Sequence, residues 1–505
     1  MNMKVLIEIA SIVTKKKVKK IEIFDDHVFR QKNSKFNEFY ESLSANKFKN
    51  DRDAAMHLYG CSPLDAKYRQ LKSRFRKRLL NTLFFLDINK PSVSNYDQAY
   101  FTCNKEWTLV KILIANNAIH AAASLARGLL ATALKFQFAD VIVNSARILR
   151  EYYADLGDEK SYELYDSYSK QYAEILDAEI RSEEYYQRVV MLYRKPANKS
   201  GDLLQRMDTY CHALMGLSES FQSPVIYYNM FLVWIMRYEM LCDYEAMLEV
   251  CNQAEEYISR NPVFHQEDKQ IIFFTKKMSV YLHLGDYRLG RANAEKCLNE
   301  FPEGSESWFT FMEYYLLLAL QTGQYFHAAA ILNQTVSHGA FKKLEGTTKE
   351  KWAIFEAYVM YFADKTAISA KMWTGQRKRS AQLSRYMDDP QRYSRDQRTF
   401  AVLARVLQIL QLVDKRNFAE LNDQVEQLKV YASRQLDKDV HFRPIQFIRL
   451  LQQLRKAGYQ PDEISNADKY YNRLAERPFS YRGALTELEI IPYEKLWEMV
   501  LSNFR

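Results

Sequence analysis

Apolar residues recur at three- and four-residue spacing through most of this 505-residue chain, and no segment sustains an alternation of apolar and polar positions. From about residue 106 onward the pattern predicts one amphipathic helix after another, over 107–115, 119–130 and 133–153 and beyond. Polar breaks fall at Leu156-Gly157-Asp158, Lys195-Pro196-Ala197-Asn198, Gln222-Ser223-Pro224, Asn261-Pro262, Pro302-Glu303-Gly304 and Pro390. They lie one or two helices apart, which suits antiparallel pairs joined by tight turns. Composition points the same way. Only 14 Gly and 11 Pro occur, where sheets and phosphate loops need many, and the common residues are strong helix formers. The expected class is all-α. The chain is too long for one hydrophobic core, and we expect three parts: 1–90, 91–435 and 436–505.

A repeat stands out in the middle. Cys242-Asp243-Tyr244-Glu245-Ala246, Gly285-Asp286-Tyr287-Arg288-Leu289-Gly290 and Gly323-Gln324-Tyr325-Phe326-His327-Ala328 share one layout. Each has a small residue, a polar residue and Tyr, then a second small residue shortly after. Repeats a few tens of residues apart signal stacked units. The layout resembles tetratricopeptide repeats, in which small residues let two helices cross closely and a proline ends the second. Gly290 takes the small position, and Pro302 follows it. In the first copy Ala246 comes one residue early and Pro262 three late; the third has Ala328 and no proline. The resemblance covers 225–340 and, more loosely, 107–435, with 139–152 and 418–431 as further examples. It implies a right-handed α-solenoid with a concave groove, lined by the first helix of each pair. On those helices lie Tyr228, Trp234, Tyr281, Phe311, Tyr314 and Tyr315, which would form a partner-binding wall. Packing between hairpins is the plainer reading of most of these residues.

Charge sets the first part aside. The net charge is +9, and all of the excess sits in residues 1–90. There, one helix is expected at 36–43, with Phe36, Phe39, Tyr40 and Leu43 on its apolar face. A second at 51–59 carries Ala54, Ala55, Leu58 and Tyr59, and Asp51 is expected to cap it. After Gly60-Cys61-Ser62-Pro63 a long helix over 64–86 is expected, with Leu64, Tyr68, Leu71, Phe75 and Leu79 as its core stripe. Arg69, Lys72, Arg76 and Lys77 project away from that stripe, flanked by Lys67, Arg74 and Arg78. These helices, with the run Ser73-Arg74-Phe75-Arg76-Lys77-Arg78-Leu79, resemble the winged-helix effector domains of response regulators, including regulators that couple such a domain to tetratricopeptide-like helices. The resemblance implies that Arg69, Lys72, Arg76 and Lys77 contact nucleic acid. No glycine-bearing hairpin for a wing follows in 84–90. A solvated basic face on a capping helix is the plainer alternative. Lys15-Lys16-Lys17 with Lys19-Lys20 reads as a solvated loop. So does the cluster Arg377-Lys378-Arg379, Arg385, Arg392, Arg395 and Arg398, although its interleaved Tyr386 and Tyr393 would suit base stacking.

The search for chemistry finds no phosphate loop, dinucleotide fingerprint, zinc-protease motif or nucleophile elbow. The 9 His are dispersed, and the neighbours Cys211-His212 face different sides of a helix. We therefore expect no catalytic residue, cofactor or metal. Six cysteines without a CxxC pair suit a reduced protein. The N-terminus places its apolar stretch before its lysines, the reverse of a secretory signal, and no apolar run is long enough to span a bilayer. The expected location is the cytoplasm. After Pro478, a tail with Leu485, Leu488, Ile490, Ile491, Trp497 and Leu501 suits capping of the last hairpin, or docking on a partner. The leading expectation is a non-catalytic scaffold that binds a protein partner. The alternative is a nucleic-acid-binding regulator acting through 1–90.

Overall fold

The computed structural model describes residues 35–45, 47–48, 50–83, 94–194, 201–365 and 397–504. Every regular element is helical: twenty α-helices and a few short 3-10 turns, with no strand among the described residues. The chain divides into two compact units between Tyr172 and Ala173.

The first unit begins with α1 (Lys35–Ser44), α2 (Asp51–Tyr59) and α3 (Ala66–Leu83). Asn50, not the expected Asp51, caps α2 by accepting the Asp53 N–H at 3.0 Å, and Gly60 ends it in the left-handed region at φ 62°. Phe36, Phe39, Phe48, Leu58, Tyr68, Phe75 and Leu79 form a small core, with Leu71 packed at its edge. Leu64, expected on the stripe of the third helix, lies ahead of it and is 81% exposed. Pro63 and the turn after it delay the helix to Ala66, so the stripe starts at Tyr68. Next come α4 (Asn95–Ala115), α5 (Ile119–Phe136), α6 (Ala139–Asp155) and α7 (Glu159–Tyr193), the last continuing into the second unit. The helix expected over 133–153 is in fact two, broken at Gln137, whose φ is 57°. α5 packs on both α4 and α6, through a face of Ala122, Ala123, Ala126, Leu129 and Ala133. Small side chains bring the helix axes close together.

The second unit runs α8 (Gly201–Ser220), α9 (Pro224–Leu241), α10 (Tyr244–Arg260), α11 (Glu267–Leu284), α12 (Tyr287–Cys297), α13 (Glu306–Gln321), α14 (Tyr325–Ser337) and α15 (Gly346–Lys365). It continues with α16 (Arg398–Asp414), α17 (Phe418–Gln435), α18 (Phe442–Lys456), α19 (Ala467–Glu476) and α20 (Tyr493–Ser502). Each helix packs on the next; α11 also lies directly on α13, and α20 on α18. Gly290 explains one close approach: a Cβ there would fall 2.3 Å from Leu318 Cδ2, so α12 meets α13 where only hydrogen fits. One apolar cluster centres on Met207, Tyr228, Val233, Met247 and Phe273. A larger one joins α11–α18 to Tyr481, Leu488, Ile490, Tyr493, Trp497 and Val500, which places residues after 478 in the same core as helices from 274 onward.

The three-copy layout has a physical origin in the turns. Cys242, Gly285 and Gly323 each end a helix in the left-handed region, at φ 58°, 67° and 75°. The next residue donates its N–H to the carbonyl five residues back: Asp243 to Tyr238 (3.0 Å), Asp286 to Tyr281 (3.1 Å) and Gln324 to Ala319 (2.8 Å). This is the Schellman arrangement, which satisfies the orphan carbonyls of a helix end. Asp243 and Asp286 then cap the following helix, accepting from the Ala246 and Leu289 N–H groups. The same turn recurs without glycine at Asn117, Gln137 and Arg416, and with it at Gly157.

Candidate functional site

Between α19 and α20, residues 478–491 leave the helical pattern. Pro478 has no N–H to give, Gly483 sits at φ 94°, and only a 3-10 turn at Leu485–Glu487 interrupts an extended path. This strap is held by side chains from α7, α9, α10, α11, α13 and α18. Tyr481 is wholly buried; its hydroxyl donates to Glu313 on α13, and its N–H donates to His283 Nε2 on α11 at 2.9 Å. Ser480 receives the Tyr244 hydroxyl at 3.4 Å. Arg482 pairs with Glu487 at 2.5 Å, donates to the Tyr193 carbonyl at 3.1 Å and lies over the Tyr193 ring. Gln321 donates to the Glu489 carbonyl at 3.2 Å, and Lys495 returns to the Gln321 carbonyl at 2.7 Å. Glu489 meets Arg443 at 2.5 Å, which also reaches Glu494 at 2.7 Å.

Beneath the strap, successive helices carry paired charges. Glu239 on α9 accepts from Lys276 on α11 at 2.5 Å and from the Tyr193 hydroxyl at 2.6 Å. Glu313 accepts from Lys351 on α15 at 2.5 Å as well as from Tyr481. A carboxylate in so apolar a setting is stable only when paired, and each has a cation and a phenol. Burial drives the Tyr481 hydroxyl well above its ordinary pKa, with Glu313 adding to the shift, so it stays a donor. His283 lies between Tyr244, at a ring separation of 4.1 Å, and Phe479, at 5.2 Å. Its Nδ1 lies 2.7 Å from the Ser279 carbonyl and must carry the proton, which leaves Nε2 to accept from Tyr481. Desolvation pushes its pKa down to about 4. The ring is therefore neutral near pH 7.

Of the residues expected to wall an open groove, Tyr228, Tyr281, Phe311 and Tyr314 are buried in the core, while Trp234 and Tyr315 are half-buried. The reason is that α9 and α13 are apolar all round; α13 buries twelve of its sixteen residues. The Tyr228 hydroxyl donates to the Phe264 carbonyl at 3.0 Å, and the strap runs past Tyr314, whose ring is 5.6 Å from that of Tyr481. Trp234 packs edge-on to His212, with Arg237 over its face. The residues that do hold a chain segment are Tyr193, His283, Glu313, Gln321 and Arg443, none of which the periodicity singles out. One signal was present: Glu313 stands alone within a strongly apolar run.

On the basic module, Arg69, Arg76 and Lys77 are exposed, as are Lys67 and Arg74, and none of them makes an ion pair among the described residues. Lys72 behaves differently. It reaches back to Asp51 on α2 at 2.6 Å, where Tyr68 also donates at 2.7 Å, so its charge helps hold α2 against α3. Arg78 lies over the Phe36 ring. Residues 84–90, Lys15 to Lys20 and the cluster from Arg377 to Arg395 lie outside the described residues; Arg398 opens α16 and donates to the Gln435 carbonyl at 2.7 Å.

All six cysteines are free. Among the described residues no three His, Cys, Asp or Glu side chains gather as metal ligands, and no helix is long and apolar enough to cross a membrane. No family model, curated protein or solved structure matches this chain.

Proposed function

We propose that this chain is a non-catalytic adaptor, a right-handed α-solenoid of tetratricopeptide-like hairpins that binds other macromolecules as part of a larger assembly in the reducing cytoplasm. The observation that carries the reading is the grip on the strap. Side chains from six helices hold an extended segment by one carbonyl, one N–H, a buried Tyr and the charged side chains of Arg482 and Glu489, as a repeat wall holds a peptide of another chain. The recurring Schellman turns and the close crossing at Gly290 support hairpin stacking, and the free thiols support a reducing compartment. The test uses the full chain with Tyr481→Ala and Arg482→Ala, which loosens the strap, and a fluorescent peptide of residues 478–491. The variant should bind the peptide and the wild type should not. A variant that stays helical yet ignores the peptide at about 1 mM sinks the reading.

A second reading rests on α3, which carries no Asp or Glu and exposes Lys67, Arg69, Arg74, Arg76 and Lys77 opposite its buried stripe. In it, this helix grips the phosphates of a nucleic acid. Reversing Arg69, Arg76 and Lys77 to Glu in the full chain should abolish electrophoretic shifts of DNA or RNA at low salt. Shifts that survive the reversal remove it.

A further inference from the structure

A cavity of about 870 Å³ lies beside the strap, and six arginines line it: Arg194, Arg398, Arg434, Arg443, Arg477 and Arg482. They come from the end of α7, the start of α16, the end of α17, the start of α18 and both sides of Pro478. Two are neutralised, Arg443 by Glu489 and Glu494, and Arg482 by Glu487. The other four have no carboxylate partner among the described residues. Arg398 donates to the Gln435 carbonyl at 2.7 Å. Arg477 donates to the Asp439 carbonyl at 3.2 Å and lies 4.3 Å from the centre of the Phe442 ring. Arg194 and Arg434 make no ion pair among the described residues. Against these four stand two further carboxylates on the wall, Asp437 and Asp439. Asp437 accepts the N–H groups of Asp439 and Val440 at 2.9 and 3.1 Å, which fastens it to its own turn.

A second observation points the same way. Two buried groups on this wall, the Thr399 hydroxyl and His441 Nε2, have no hydrogen-bond partner among the described residues. His441 is 4% exposed, and its Nδ1 accepts the Asp437 N–H at 3.3 Å, which puts the ring proton on the orphaned Nε2. Both groups can donate. Gathering guanidinium groups of like charge round one concavity is unfavourable until an anion arrives. Guanidinium forks match phosphate oxygens two at a time, and a polyphosphate carries enough oxygens to meet several forks at once. The volume lies in the range of small-ligand sites, and Leu436, Val440, Phe442 and Leu488 give an apolar surface for the rest of a molecule.

We propose that this cavity binds a soluble phosphorylated small molecule of nucleotide size, with Arg398, Arg434 and Arg477 holding its phosphates. The site is separate from the basic helix and does not depend on the adaptor reading. The test is calorimetry on the full chain with inorganic pyrophosphate, adenosine triphosphate and citrate as probes. Arg434→Glu is the main variant, because that side chain is exposed and makes no hydrogen bond among the described residues, so folding should survive; Arg477→Gln is the second, with thermal melts run on both. Saturable binding of pyrophosphate or the triphosphate, weakened about tenfold or more by either variant, is the expected result. Reversal of Arg69, Arg76 and Lys77 to Glu should leave that binding intact. No binding of either phosphate at about 1 mM overturns the proposal. So does binding indifferent to Arg434→Glu, binding lost with the reversed helix, or citrate held as tightly as the phosphates.

Discussion

Acid should loosen the strap through one residue, His283. Its Nε2 accepts the Tyr481 N–H, and its ring is enclosed between Tyr244 and Phe479. A proton on Nε2 would set donor against donor and place a charge between two aromatic rings, with Glu239 nearby favouring that charge and Lys276 opposing it. Burial holds the folded pKa at about 4, against the usual 6.5. The unfolded chain therefore takes up the proton first, so the contribution is complete above pH 6.5 and is lost as pH falls towards 4. Linkage gives about 1.4 kcal/mol lost at about pH 5.5 and about 2.5 kcal/mol at about pH 4.5, with the partly exposed edge of the ring trimming both. His283→Gln supplies a non-titrating acceptor for the same N–H. Hydrogen exchange of peptides covering 478–491, referenced to the intrinsic rate at each pH, reads the local opening free energy directly. Carboxylates and His441 titrate in both proteins, so the difference isolates His283. Parallel loss of protection in wild type and variant between pH 7 and 4.5, or a wild-type loss centred above pH 6.5, refutes the reasoning.

Gly290→Ala should lower the thermal midpoint, since the new methyl overlaps Leu318 Cδ2 and crowds Tyr281 Cβ; the cost is about 1–3 kcal/mol, and an unchanged melt would mean that α12 and α13 have room. Arg443→Ala strands Glu489, whose side chain is 5% exposed, and should cost about 3–5 kcal/mol in denaturant unfolding or abolish soluble expression. A loss below about 1 kcal/mol would show that Glu489 takes up a proton at no real cost. With iodoacetamide at mildly alkaline pH, mass spectrometry should find Cys61 and Cys242 modified first. Cys103 should lag, its thiol pushed up to about 11 by burial, as should Cys211, Cys251 and Cys297, pushed up to about 12. Early labelling of any of these four contradicts the packing around it.

Local pattern determined the helices and several of their ends. The spacing of apolar residues placed the stripe of Tyr68, Phe75 and Leu79 in a core, and Gly-Asp-Tyr at 285–287 marked a turn that the structure builds as a left-handed cap followed by an Asp cap. Where Gln137 or Arg416 takes the left-handed position instead of Gly, the same turn left no legible mark, because tertiary packing on both sides enforces a backbone that these residues do not ordinarily prefer. The fate of an aromatic was likewise undecided: period alone places Tyr314 and Phe311 on a helix, but whether that helix has one neighbour or several depends on how the helices stack. Tertiary structure alone brought Tyr481 to Glu313, 168 residues away, and carried Arg194 and Arg482 to one cavity. Such pairings have no local code. A helix reports its own face within a turn or two, whereas the partner of a buried charge is set by which distant segment returns to cover it.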